Sequence, residues 1–169
     1  MFSLFKKTKN TQPKQDAQIV MLASPLKGRA VVLEEVPDAT FADRILGGGC
    51  AVIPECGVLT APADGVIDSL PDTRHAVMMT TDSGAELLMH IGIDTVELRG
   101  EHFSALVKPG DRVTAGQPLI EFDPDAVQAA GYAVVTPVIV TNSDAFRIRQ
   151  VTLGAVSQGE MLMELEKIG

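Results

Sequence analysis

The sequence has no tryptophan, one tyrosine and two cysteines, and none of its apolar runs approaches the length of a membrane-spanning helix. Tyr132, alone, carries no signal. Cys50 and Cys56 stand in a single C-x5-C spacing with no second pair, which excludes a zinc knuckle and a disulfide framework. Two such thiols read as small packed hydrophobes in a reducing cytoplasm. Basic residues are also scarce, 14 against 22 acidic ones, for a net charge of −8. The few lysines crowd into residues 1–18, where Lys6, Lys7, Lys9 and Lys14 face only Asp16, so the remainder of the chain is at −11. An acidic body argues against nucleic acid and for small molecules or basic protein partners. Residues 1–18 lack the apolar stretch of a signal peptide and read as a flexible basic tail. Phe2, Leu4 and Phe5 beside the lysines could give that tail weak contact with an anionic membrane.

What is present fits one globular domain, residues 19–169, with 46% hydrophobic residues. Short apolar runs are broken by Pro, Gly or Asp every ten residues or so, the pattern of an all-β antiparallel sandwich or barrel. The runs predict strands at 18–23, 28–34, 51–55, 57–60, 65–70, 76–81, 85–91, 105–107, 118–122, 136–140, 151–155 and 161–166. Helix is predicted only at Asp123–Ala130, capped by Asp123, opened by Pro124 and ended by Gly131, with a further single turn at Phe41–Ile45. The Gly47-Gly48-Gly49 run lacks the Lys-Ser/Thr of a phosphate-binding loop and reads as a flexible turn. Two faint echoes hint at internal duplication. Ser24-Pro-Leu-Lys-Gly28 resembles Ala61-Pro-Ala-Asp-Gly65, and Val113–Glu121 resembles Val156–Glu164.

The stretch with the most chemistry is Gly84–Leu98, GAELLMHIGIDTVEL. Read as a strand, Ala85, Leu87, Met89, Ile91 and Ile93 make one apolar face, and His90 lies on the other with Glu86, Leu88, Gly92 and Asp94. His75 opens the preceding apolar run. A two-residue loop, Asp82-Ser83, would set His75 directly opposite His90. A three-residue loop with Gly84 left-handed would pair Val77 with Met89 and set His75 opposite Ile91, so that a bulge or the turn Pro71–Arg74 must swing its ring across. The sequence leaves both registers open.

Neutral imidazole is a nucleophile at physiological pH, and its second ring nitrogen needs a partner to fix the tautomer. Gly92 could offer a carbonyl to His90, and Thr73 lies near enough to orient His75. Phosphoryl transfer asks for little more. The rival is zinc: His75 and His90 with Glu86 or Asp94 would make a ligand set for a zinc hydrolase or a zinc-bridged adaptor, although neither H-x-H nor H-E-x-x-H is present. His102 reads as a solvated loop residue. Val107–Phe122 contains a Pro-Gly-Asp-x-Val-x-x-Gly pattern similar to biotinyl and lipoyl carriers, but no lysine sits at a hairpin tip to hold the cofactor.

At these residues the sequence resembles a known family. HIGIDTVEL and its lead-in are similar to the phosphorylation-site signature of enzyme IIA components, glucose family, of the bacterial phosphoenolpyruvate:sugar phosphotransferase system. Val36–Ala42, Gly47–Ile53, Ala61–Gly65, Thr73–Ala76 and Val113–Asp123 agree with the same family in the same order. The resemblance implies a freestanding cytoplasmic phosphotransferase component with a β-sandwich (barrel-sandwich) fold. It implies that His90 takes a phosphoryl group on Nε2 from phospho-HPr and passes it to a cysteine of a sugar permease's IIB domain. It further implies that His75 stabilises the phosphoryl group, that Thr73 orients His75, and that Asp94 shapes docking. No cofactor is required on this reading, with zinc at His75 and His90 a secondary possibility, and regulated transporters or kinases are further partners. Docking should favour an apolar ring, for which Phe41, Leu46, Met78 and Leu88 are the candidates. The chain departs from better-known members at Pro71, Met78 and Leu88, where phenylalanine is common, and at Arg74, where a small polar residue is.

Overall fold

The computed structural model describes residues 17–168. The basic tail, and with it the expected membrane contact, lies outside the described residues except for Ala17 and Gln18. Fourteen strands are described, paired antiparallel throughout, with two short helices. In chain order they are β1 (Ile19–Ala23), β2 (Gly28–Val32), α1 (Ala39–Ala42), β3 (Gly48–Pro54), β4 (Val58–Thr60), β5 (Gly65–Ser69), β6 (Ala76–Thr81) and β7 (Glu86–His90). There follow β8 (Phe103–Ala105), β9 (Arg112–Val113), β10 (Pro118–Phe122), α2 (Pro124–Ala129), β11 (Thr136–Val140), β12 (Phe146–Val151), β13 (Gly154–Val156) and β14 (Met161–Lys167). Among these residues no helix is long and apolar enough to cross a membrane.

An eight-stranded sheet in the order β13-β2-β3-β11-β7-β6-β5-β9 packs against two three-stranded sheets, β1-β14-β12 and β4-β10-β8. The order is palindromic about the β11–β7 pair, and the echoes explain it. Gly28, at the end of the first echo, pairs with Val156, while Gly65, at the end of its counterpart, pairs with Val113. The same two motifs therefore meet in the same register in both halves, as a duplicated unit requires. Each second motif then runs into the central strand of a three-stranded sheet, β10 or β14.

The main core fills the space between the sheets with fully buried residues such as Leu22, Leu59, Met79, Leu87, Met89 and Leu119. A second, smaller core lies on the other face of the large sheet, where residues 33–42 cross it and bury Leu33, Val36 and Phe41 against Val31, Ala51 and Ile139. Leu88 packs on the margin of that cluster. The α2 helix keeps the expected punctuation: Asp123 accepts from the Ala126 N–H at 3.0 Å, Pro124 opens it, and Gly131 follows at φ 98°. Cys50 is buried, which pushes its thiol up to about 12, while Cys56 is exposed.

Several local expectations are corrected. Gly48 and Gly49 are not a flexible turn but the start of β3, paired with Val140 and Ile139 of β11. A Cβ at Gly49 would penetrate the Val138 carbonyl oxygen, so the two backbones close only over glycine. Gly49→Ala is expected to destabilise the fold by about 3 kcal/mol, the upper end of overpacking costs, read as a lowered denaturation midpoint. The single turn falls at Ala39–Ala42 instead of Phe41–Ile45, because the Asp38 side chain caps it by accepting from the Thr40 N–H at 2.9 Å. The strand predicted at 105–107 begins at Phe103, and that predicted at 151–155 is two strands, β12 and β13.

Candidate functional site

His90 is the last residue of β7, and the β6–β7 hairpin takes the three-residue loop. The Thr81 N–H donates to the Ala85 carbonyl at 2.9 Å and Gly84 is left-handed at φ 95°. Val77 thus pairs with Met89, Met78 with Leu88 and Ala76 with His90, while the Ile91 N–H donates to the His75 carbonyl at 2.7 Å. Strict alternation would aim His75 at the main core. The turn before it breaks the alternation: the Arg74 N–H donates to the Pro71 carbonyl at 2.8 Å with Arg74 left-handed at φ 55°. The His75 ring accordingly stands edge-on to His90, centroids 4.8 Å apart and planes at 80°.

Each ring has one nitrogen committed. His90 Nδ1 lies 2.7 Å from the Gly92 carbonyl oxygen, an acceptor only, so Nδ1 carries the proton and Nε2 the lone pair. The carbonyl is itself held in place. Gly92 is at φ 72°, the Ile93 N–H donates to Ala133 at 3.0 Å, and buried Thr95 donates its hydroxyl to the Ile91 carbonyl at 2.5 Å. A Cβ at Gly92 would come within 2.6 Å of both Ala133 O and the Thr95 methyl, so only glycine fits. His75 Nδ1 lies 2.8 Å from Thr73 Oγ1. With the hydroxyl donating, Nε2 of His75 bears the proton.

Burial lowers the affinity of both rings for a further proton. For His75 desolvation, helped by the neighbouring His90, brings the value from 6.5 down to about 4. For His90 desolvation also wins, against the opposing pull of the Gly92 carbonyl and the carboxylates of Asp38 and Asp94. Both rings are therefore neutral at pH 7. The unfolded chain takes up a proton at position 75 near pH 6.5 and the native chain only near 4, so native stability falls as pH falls through that window. The loss is at most on the order of 3 kcal/mol. Ring-proton chemical shifts followed against pH are expected to give midpoints below the ordinary imidazole value for both residues, with His75 the lower. A midpoint at or above 6.5 for His75 would contradict the desolvated pair.

The expected docking residues divide. Leu46 and Met78 are each 39% exposed, Leu88 is half-buried, and Asp94 is exposed at the left-handed start of the 3-10 turn Thr95–Leu98. Phe41 departs from expectation. It is buried, because residues 33–42 lie across the sheet, and its ring packs on His90 at 5.1 Å between centroids. The sequence reading missed Ile45 and Val96, exposed apolar residues that follow α1 and His90 in the chain at 69% and 50% exposure, and missed Asp38, whose carboxylate acts on the His90 ring. An Asp two residues ahead of Thr40 and three ahead of Phe41 was a readable helix cap. His102 is half-buried in a left-handed turn at φ 74°. No group of three or more His, Cys, Asp or Glu able to hold a metal occurs among the described residues, so neither Glu86 nor Asp94 joins the two imidazoles as a third ligand. Cavities of about 480, 430 and 180 Å³ lie elsewhere, and neither ring lines them.

A β-sandwich with two neutral imidazoles packed edge to face, one with its Nε2 lone pair left free by a main-chain contact, defines a class of domain suited to carrying a small group. Residues 20–146 match the family described as phosphoenolpyruvate-dependent sugar phosphotransferase system, EIIA 1, and the chain belongs to that family. It is a glucose-type EIIA phosphocarrier domain, a component of the phosphotransferase system. The PTS system glucose-specific EIIA component of Halalkalibacterium halodurans is 43% identical over 148 residues, 88% of this chain and 84% of its own. The PTS system beta-glucoside-specific EIIBCA component of Bacillus subtilis is 44% identical over 146 residues, and the match spans 86% of this chain but only 24% of that longer protein. Glucose permease IIA from Mycoplasma capricolum superposes with a TM-score of 0.84 at 33% identity, covering 87% of this chain and 96% of its own.

Proposed function

We propose that the domain accepts a phosphoryl group on His90 Nε2 from phospho-HPr and delivers it to a cysteine of a IIB domain in the cytoplasm. The observation that carries this reading is the 2.7 Å contact between His90 Nδ1 and the Gly92 carbonyl, which leaves Nε2 as the free nucleophile. In the first step the Nε2 lone pair attacks phosphorus and the donor's N–P bond breaks, its electron pair returning to the donor ring. Nδ1 keeps its proton throughout. In the second step a cysteine thiolate attacks the same phosphorus, an S–P bond forms, and His90 leaves as the neutral imidazole.

Both transfers need equatorial charge stabilised and water kept out. The Nε2–H of His75 is the donor to a phosphoryl oxygen, and Thr73 orients the ring. Leu46, Met78 and Leu88 form the apolar rim that a partner covers. Asp38 and Asp94 attract a basic partner, which raises the encounter rate more than the affinity. The EIIBCA architecture in the names of several relatives supports a IIB partner. Regulated transporters or kinases would use the same face. No cofactor takes part, and zinc on the two imidazoles would need its remaining ligands from a partner. The test is incubation with phosphoenolpyruvate, enzyme I and HPr: one acid-labile, base-stable phosphate per chain is expected, and no uptake would overturn the reading.

A further inference from the structure

Helix α2 supplies no residue to the imidazole pair, yet the segment that leaves it reaches the loop after His90. The helix ends in a glycine-led cap. The Gly131 N–H donates to the Gln128 carbonyl at 2.9 Å and the Tyr132 N–H to the Val127 carbonyl at 3.2 Å, with Gly131 at φ 98°. This pairing folds the residue after the glycine back over the last turn of the helix, where its side chain meets the start of that turn. Tyr132 accordingly packs half-buried against the main core, of which Val127 is a member.

Two successive residues of this segment hold the loop that carries the Gly92 carbonyl. The Ala133 carbonyl accepts from the Ile93 N–H at 3.0 Å, directly beside the glycine that faces His90 Nδ1. The Tyr132 hydroxyl donates to the Glu97 carboxylate at 3.0 Å, further along the same loop. The turn Thr95–Leu98 is bounded by two non-glycine residues with left-handed backbone, Asp94 at φ 58° and Arg99 at φ 54°. Such backbone is uncommon outside glycine and persists only where its surroundings over-determine it. The root of the turn is held by Thr95 on the Ile91 carbonyl. Along residues 96–99 the Tyr132–Glu97 contact is the one side-chain hydrogen bond among the described residues. The phenol is held above its ordinary pKa by that hydrogen bond, by burial, and by the charges of Glu97 and Asp94. Asp94 also acts on the His90 ring, so one carboxylate bears on both groups.

We propose that Tyr132 is a positioning residue for phosphoryl transfer: through Glu97 it holds loop 92–98, and with it the Gly92 carbonyl and the Asp94 carboxylate, in place at His90. Transfer of a phosphoryl group is catalysed mainly by positioning and charge, so slack in this loop is felt at the ring. The effect on transfer rests on the phosphocarrier reading; the effect on the ring does not.

The test is Tyr132→Phe in the whole chain, which removes the hydroxyl and keeps the ring that packs on the core, so the thermal midpoint should change little. In the unphosphorylated protein the His90 Nδ1 proton should exchange with solvent several-fold faster. The His90 titration midpoint should fall, because the Gly92 carbonyl and Asp94 both favour the protonated ring and are less well placed, while Asp38 and the neighbouring His75 stay as they were. The His75 midpoint, set by burial and by His90, should hold. Uptake of phosphate from phospho-HPr should slow about fivefold, the weight of one net hydrogen bond. Glu97→Ala should reproduce all of these changes, and Glu97→Gln, which keeps an acceptor, should reverse most of them. The double variant Tyr132→Phe, Glu97→Ala should be no worse than either single one. Unchanged proton exchange and midpoint at His90, an equal shift at His75, or additive effects in the double variant would overturn the proposal. No uptake by the wild-type chain would overturn the relay itself, and the ring measurements, which need no phosphate, tell that failure apart from this one.

Discussion

Replacing His90 by glutamine is expected to reduce label uptake from phosphoenolpyruvate, enzyme I and HPr to background, while the thermal midpoint changes little. Glutamine keeps the length of the side chain and can donate to the Gly92 carbonyl, but its amide offers no lone pair comparable to Nε2. The loss should be complete, because no other group in the site combines a neutral ring nitrogen with surface access. His75 has its Nδ1 against Thr73 and is buried, 7% exposed. Stoichiometric, acid-labile label on His90→Gln would move the acceptor elsewhere, to His75 or to the half-buried His102.

His75→Ala is expected to separate the two transfers. The variant should still become phosphorylated, since the nucleophile and its tautomer lock are untouched, but should hand the group to a IIB cysteine about 10²–10³-fold more slowly. That is the size of effect seen when one preorganised donor to developing phosphoryl or oxyanion charge is removed. The donor matters more in the second step because a thiolate brings its own negative charge to the phosphorus. Thr73→Val should fall in between, since the ring remains but loses the 2.8 Å contact that orients it. Transfer to IIB at the wild-type rate in His75→Ala would remove the assigned role. Single-turnover measurement of each half-reaction distinguishes the outcomes.

The parts of the fold legible in the sequence were those set by local period and turn chemistry. Leu87 and Met89 alternate with Leu88 and His90, and the burial follows that alternation without exception across β7. The loop at Gly84 had two readings until its left-handed backbone selected one, since the period of a strand fixes the face of each residue and not its partner. The parts that stayed hidden depend on distant chain. Gly49 is dictated by a carbonyl of Val138, about ninety residues on, and Phe41 is buried because residues 33–42 fold over a sheet they do not belong to. β12 reads Phe-Arg-Ile-Arg-Gln-Val, and its charges obscured it; such residues are what an edge strand carries to discourage pairing with another chain. In the site, the two histidines and Thr73 could be named from sequence. The crossing of the rings could not, because it comes from the left-handed Arg74, a conformation that arginine does not advertise.

The tautomer of His90 is fixed by an amide oxygen of its own strand end, whereas many catalytic histidines lean on a carboxylate. A carboxylate in that place would stabilise the cationic, phosphorylated ring and make it a reluctant leaving group. A peptide carbonyl has no charge, no titration and little dependence on salt, so it holds the ring's orientation and, on the proposed relay, would leave the N–P bond nearly as labile as in a free phosphoimidazole. A carrier built this way would, on that relay, neither trap its cargo nor favour one direction of traffic.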